Sequence, residues 1–131
     1  MIVVDSNILA YLYLPGEYTM QAENLLRQQP NWHAPPLWRS ELRNILADYV
    51  RRGQLALSNA IWIQQEAQAL MLQGEQPVDS ALVLTLAEQS GCTAYDCEFV
   101  ALAKALGCPL YTMDKQILRA FPDLVQVLPV A

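Results

Sequence analysis

Four carboxylates carry the chemical interest of this sequence: Asp5 at the end of IVVD, Glu41 inside WRSELRN, Asp96 in AYDCEF and Asp114 in YTMDK. Carboxylate oxygens are hard donors that suit Mg²⁺ or Mn²⁺. Acids brought from separate elements to one crevice can orient a water and neutralise the transition state of a phosphodiester. Taken singly, each has a simpler role: Asp5, Asp96 and Asp114 each stand near a helix start, where aspartate is favoured as a cap, and Glu41 could be the solvated edge of its helix. Their joint placement is what points to a site, in which one acid would also help to deprotonate the attacking water.

The elements that must position these acids follow from periodicity and punctuation. Residues 2–5 form a short apolar run, and the following SNILAYLYL is apolar until Pro15 and Gly16, which reads as strand, turn and short helix. A second helix is expected from Thr19 to Gln28. Two prolines in NWHAPPLW forbid a continuous helix and leave a short strand or extended link at Trp32 to Ala34. From Leu37 to about Arg52, Trp38, Leu42, Ile45, Leu46 and Tyr49 recur at helical spacing, and Gly53 stops the run. Glu41 borders that apolar stripe, where a carboxylate needs a partner.

Ser58 is the expected cap of a helix ending at Gly74, and Asp79 of one closed by Gly91, with Val78 and Val83 as a hydrophobic staple. Asp96 is expected to open a helix carrying Phe99, Leu102, Ala103 and Leu106, ended by Gly107 and Pro109. PLYTM then reads as a buried strand, KQILRAF as a short helix and LVQVL as a last, edge strand. Strands alternating with helices predict an α/β fold over residues 1–131 as one domain: three layers, α/β/α, with a mainly parallel sheet of about four to five strands. In such sheets ligands bind beyond the carboxyl ends of the strands, where Asp5, Asp96 and Asp114 stand.

Composition narrows the class. Hydrophobic residues make up 53% of the 131 and charged residues 16%, the balance of an ordered globule rather than a disordered chain. No run approaches the ~20 apolar residues of a membrane span, and MIVVDSN lacks the basic start of a signal peptide, so a cytoplasmic location is expected. Cys92, Cys97 and Cys108 are odd in number and without CxxC spacing, and His33 is the one histidine, so neither a disulfide framework nor a zinc site is favoured. A net charge of −5 opposes nucleic-acid binding unless several acids converge on cations.

MIVVDSNILAYLY, ELRNILADY, YDCEFVALAKALGCPLYTMD and the terminal LVQVL together resemble a PIN-domain ribonuclease of the VapC toxin type, over essentially the whole chain. The strongest block is residues 95–114. The resemblance implies that Asp5, Glu41, Asp96 and Asp114 hold one or two Mg²⁺ or Mn²⁺ ions. It places Ser6, Asn7 and Thr112 as supporting residues and makes RNA the substrate. It further implies an antitoxin protein and a second copy of the chain as partners; the apolar helices around Leu55 to Leu72, Trp62 among them, offer a contact for either, though at helical spacing such residues are more often core.

Arg39, Arg43, Arg51 and Arg52 share one predicted helix; Arg39 and Arg43 are the candidates for RNA contact, though pairing with acids such as Asp48 is an equal role for any of them. Cys97 stands where a small residue such as Ala is usual, and an exposed thiol there would make activity sensitive to oxidation. Glu98, two residues from Asp96, would point away from it. Two other readings of the first acid compete. A phosphatase would want a second acid where Asn7 stands, and a receiver-like, Mg²⁺-binding signalling or non-catalytic interaction module would want adjacent acids after its first strand.

Overall fold

The computed structural model describes residues 1–130. Four short parallel strands, β1 (Ile2–Val4), β2 (Trp32–His33), β3 (Leu110–Tyr111) and β4 (Val125–Gln126), form one sheet in the order β2-β1-β3-β4. Seven helices flank it: α1 (Ser6–Tyr13), α2 (Thr19–Gln28), α3 (Trp38–Arg51), α4 (Leu57–Met71), α5 (Ser80–Ser90), α6 (Ala94–Leu106) and α7 (Lys115–Ala120). This is the α/β arrangement expected, with LVQVL at the sheet edge.

Because every strand is parallel, helices must carry the chain back across the faces, and the central strands are buried on both sides. Ile2, Val3 and Val4 accordingly have no exposed surface. Helix α6 lies deep as well: Cys97, Phe99, Val100, Ala101, Leu102 and Ala103 are all buried, which is why its sequence is apolar nearly all round.

The same parallel arrangement brings all the strand C-terminal ends to one edge. Asp5 N–H still donates to the Tyr111 carbonyl at 3.0 Å, so the first acid is set by the β1–β3 ladder itself. At the far edge, the chain after α4 crosses close over β2. A Cβ on Gly74 would stand 1.9 Å from the Trp32 carbonyl oxygen, so glycine is required there. The Ala34 and Gly74 backbones bond at 3.2 Å, and an isolated parallel bridge joins Ala34 to Glu75.

Two helix starts differ from expectation. Helix α4 begins at Leu57 after Ala56, with no side-chain cap, so Ser58 sits inside the first turn. Helix α6 is capped by Thr93, whose hydroxyl accepts from Asp96 N–H at 3.0 Å; Asp96 is therefore not the cap and its side chain is released for another task. Asp79 caps α5 as expected, accepting from Leu82 N–H at 3.1 Å.

Candidate active site

Asp5 caps α1: Ser6 N–H donates to its Oδ1 at 2.7 Å, and the Thr112 hydroxyl donates to Oδ2 at 2.7 Å. It is only 9% exposed. Burial pushes its pKa up from 3.8 to about 6 against the pull of those two hydrogen bonds, and the charges of Glu41 and Asp96 push the same way.

Thr112, fully buried, is the knot of the site. While donating to Asp5, its oxygen accepts from Asp114 N–H at 3.0 Å and from Asn7 Nδ2 at 3.3 Å, which uses the full capacity of a hydroxyl. Asp114 in turn caps α7, its Oδ1 accepting from Gln116 and Ile117 N–H at 2.9 and 3.1 Å.

Glu41 reaches in from α3. Its place beside the apolar stripe demanded a partner, and Ser6 supplies it, the hydroxyl donating to Oε1 at 2.7 Å. Burial raises the Glu41 pKa, opposed by Ser6, and the charges of Asp96 and Glu98 raise it further. Asp96, in the first turn of α6, is raised mainly by burial, offset by the Thr93 bond, with the Asp114 charge adding to the rise.

These four acids, from four separate elements, line one open cleft of about 430 Å³ together with Ser6 and Asn7. No lysine, arginine or histidine lines it. Among the described residues, no three acid, histidine or cysteine side chains stand close enough to enclose a cation as they are. The acids face a shared space rather than a finished cage. The donor set is nonetheless that of a hard cation, and the Asn7 Oδ1 is buried without a hydrogen-bond partner in the wall of the cleft.

The model of the PIN domain family matches residues 2–122. The chain belongs to the PIN domain family. A curated relative, ribonuclease VapC3 of Pyrobaculum aerophilum, is 35% identical over 130 residues, covering 95% of this chain and 97% of that one. Among solved structures, PAE2754 from the same organism superposes with a TM-score of 0.78 at 19% identity over 97% of this chain and 90% of that one. A toxin–antitoxin complex from Klebsiella pneumoniae matches with a TM-score of 0.69 at 14% identity over the full length of both chains. At those identities the two structures speak for the fold.

Three residues of this PIN domain's cleft escaped the sequence reading. Asn44 lies three residues after Glu41 and four after Ser40, so it stands beside both on α3, and that spacing was the available signal. Tyr95, 63% exposed, stands at the rim beside Asp96. Of the two arginines marked for RNA, neither lines the cleft. Arg39 is bound to Glu75, Nε to Oε1 at 2.5 Å and Nη2 to Oε2 at 3.1 Å, and Arg43 bonds Ser40 Oγ at 3.1 Å. Arg51 and Arg52 both pair with Asp48, as the helical spacing allowed.

Cys97 is fully buried, so the exposed thiol that oxidation would need is absent. His33 is a buried strand residue whose Nδ1 lies 3.2 Å from Gln76 Nε2. A larger groove, about 540 Å³, opens between α3 and α4 and is almost wholly apolar; it holds none of the four acids.

Proposed function

We propose that this chain, residues 1–131 acting as one PIN-like domain, is a metal-dependent endoribonuclease and the toxin of a toxin–antitoxin pair. The observation that carries the reading is the cleft in which four acids from four elements gather with no basic side chain among them. Such a site is short of positive charge, and a hard divalent cation is the natural complement. Membership of the PIN family and the ribonuclease name of the 35% identical relative support the same chemistry.

Asp5, Glu41, Asp96 and Asp114 would hold Mg²⁺ or Mn²⁺. When bound, the cation stabilises the charge that develops on the phosphodiester. The chain's own residues do the rest. Thr112 and the Ser6 N–H fix both oxygens of Asp5, so that acid is held in one orientation. Ser6 Oγ holds Glu41 Oε1 and leaves the other oxygen of that carboxylate to take a proton from the attacking water. Arg43, on the same helix as Glu41, is available to an RNA phosphate, whereas Arg39 would first have to leave Glu75.

The apolar groove between α3 and α4, with Leu46, Val50, Leu57 and Ile61 in its walls, suits a segment of the antitoxin, and a second copy of the chain is the other partner. The shared fold with the toxin–antitoxin complex of Klebsiella pneumoniae supports pairing with an antitoxin. No helix among the described residues is long and apolar enough to cross a membrane, and action on RNA in the cytoplasm accords with that.

The test is cleavage of a single-stranded RNA with Mg²⁺ or Mn²⁺, with and without EDTA, by the wild type and by Asp5→Asn and Asp96→Asn. EDTA should abolish cutting, and each variant should lose at least about a hundredfold, the lower end of what a positioned proton-transfer or charge-stabilising group contributes. Cutting that persists in EDTA, or full activity in both variants, would sink the mechanism.

A further inference from the structure

Beside the carboxylate cleft lies a second hollow of about 310 Å³, and Asn7 and Ile45 line both. Three tyrosines stand in its walls, Tyr11 of α1, Tyr18 just before α2 and Tyr49 of α3, and the rest is closed by Ala10 and the 14–19 turn. The Tyr11 and Tyr18 rings have centroids 5.0 Å apart and are tilted by 55°. The Arg52 guanidinium lies 5.8 Å from the centroid of the Tyr49 ring. All three tyrosines are half-buried, resting against the core while still bordering open space.

The turn that closes the hollow is tied down, because Thr19 Oγ1 donates to the Leu14 carbonyl and accepts from Gly16 N–H, both at 3.0 Å. Tyr11 and Tyr18 already pack on each other as a tilted pair, and with Tyr49 they still border open space beside the carboxylate cleft. The lining carries a single charge, the acid Glu17, so the hollow repels a phosphate and suits a flat, neutral ring.

We propose that this hollow seats one unpaired base of the RNA, that of a nucleotide flanking the scissile phosphate, stacked against the Tyr11 and Tyr18 pair. The proposal rests on the nuclease reading above. The shared wall decides its register: Asn7 is bonded to Thr112, which holds Asp5, so a base in the hollow is the immediate neighbour of the phosphate at the acids. Stacking on an aromatic ring accepts every base, because each has a π-face, and it works on single strands, where bases are free to leave the stack.

The experiment scans a short single-stranded RNA with one abasic nucleotide moved through each position. Cleavage by the wild type is followed in Mn²⁺, and binding is measured by fluorescence anisotropy with Asp96→Asn. An abasic nucleotide at one position adjoining the cut should weaken binding about 5- to 150-fold, the range that base–aromatic stacking supplies. Adding Tyr11→Leu or Tyr18→Leu should bring no further loss on that abasic RNA, while Tyr→Phe at either position should behave as the parent.

If the RNA is cut but the scan is flat, or if its penalty persists undiminished in the leucine variants, the base site is wrong and the nuclease reading stands. If nothing is cut while the scan retains its dip and its dependence on the tyrosines, the nuclease reading is wrong and the base site stands. Should the leucine variants fail to fold, as melting would show, the abasic scan on unaltered Tyr11 and Tyr18 still decides.

Discussion

The chain places its acids in two opposite ways. Asp48 and Glu75 meet arginines: Arg51 and Arg52 hold the first and Arg39 the second, which also accepts from Trp38 Nε1 at 2.6 Å. Those hydrogen bonds hold both pKa values below the usual carboxylate range. Asp5, Glu41 and Asp96 meet neutral donors and one another, and burial raises all three. Glu75 gains stability from its charged partner while Asp48, out in solvent, gains little; the second group is charged at neutral pH only at a cost to the fold. A protein that keeps acids in the second condition has given up stability at that place, and a bound cation would restore it.

The largest effect that separates the two groups is the response of stability to pH in EDTA. Asp5 has a folded pKa of about 6, above its unfolded value of 3.8. Its contribution is therefore fully present below the unfolded value and is lost as pH rises through about 6. The span is worth about 3 kcal/mol from the size of the shift. Glu41 and Asp96 act in the same direction. The metal-free protein should gain stability in urea titrations as pH falls from 7.5 to 5, and Asp5→Asn should flatten much of that slope. Below about pH 4 the trend should turn over, since Glu75, with its lowered pKa, loses its contribution as it protonates. A stability that only declines as pH falls from 7.5 would break the comparison.

Thr112→Val tests the neutral partner directly. The substitution keeps the shape and removes the hydroxyl, leaving the Asp5 carboxylate, the Asp114 N–H and the Asn7 amide without it. The expected loss is about 1–3 kcal/mol at pH 7, read by urea unfolding, because buried polar groups are left unpaired. The loss should shrink in Asp5→Asn, where the charge is gone.

Smaller effects are expected on the arginine side. Glu75→Gln removes the ion pair with Arg39 but keeps an acceptor for Trp38, and should cost about 1 kcal/mol, as the pair is partly exposed. Asp48→Asn should leave the melting temperature unchanged within error, since all three side chains of that cluster stand in solvent. Neither substitution should alter the metal dependence of RNA cleavage. A change in the metal requirement in Glu75→Gln would mean that the two regions are coupled through α3.

Helix content, the parallel sheet and the positions of Asp5 and Asp114 were legible in the sequence because each rests on local signals. Apolar runs mark buried strands, glycine and proline mark the stops, and Asp5, Asp79 and Asp114 each accept the backbone N–H bonds that their positions call for. The misplacements were also local. Thr93 and Asp96 are both plausible caps three residues apart, and only the chain path selects Thr93, with the consequence that Asp96 is freed for the cleft.

What the sequence could not decide were relations between elements. That Ser6 serves Glu41, 35 residues away, and that Thr112 serves Asp5, 107 residues away, depends on how α3 and β3 dock against β1. Arg39 looked like a phosphate contact on its helix and proved to be the partner of Glu75, brought within reach by the close crossing at Gly74. The sequence alone determined which residues could bear the chemistry and which elements would carry them. The tertiary structure decided which of their charges would be paired and which left facing an open cleft, because hydrogen-bond partners and burial are properties of packing, not of spacing along the chain.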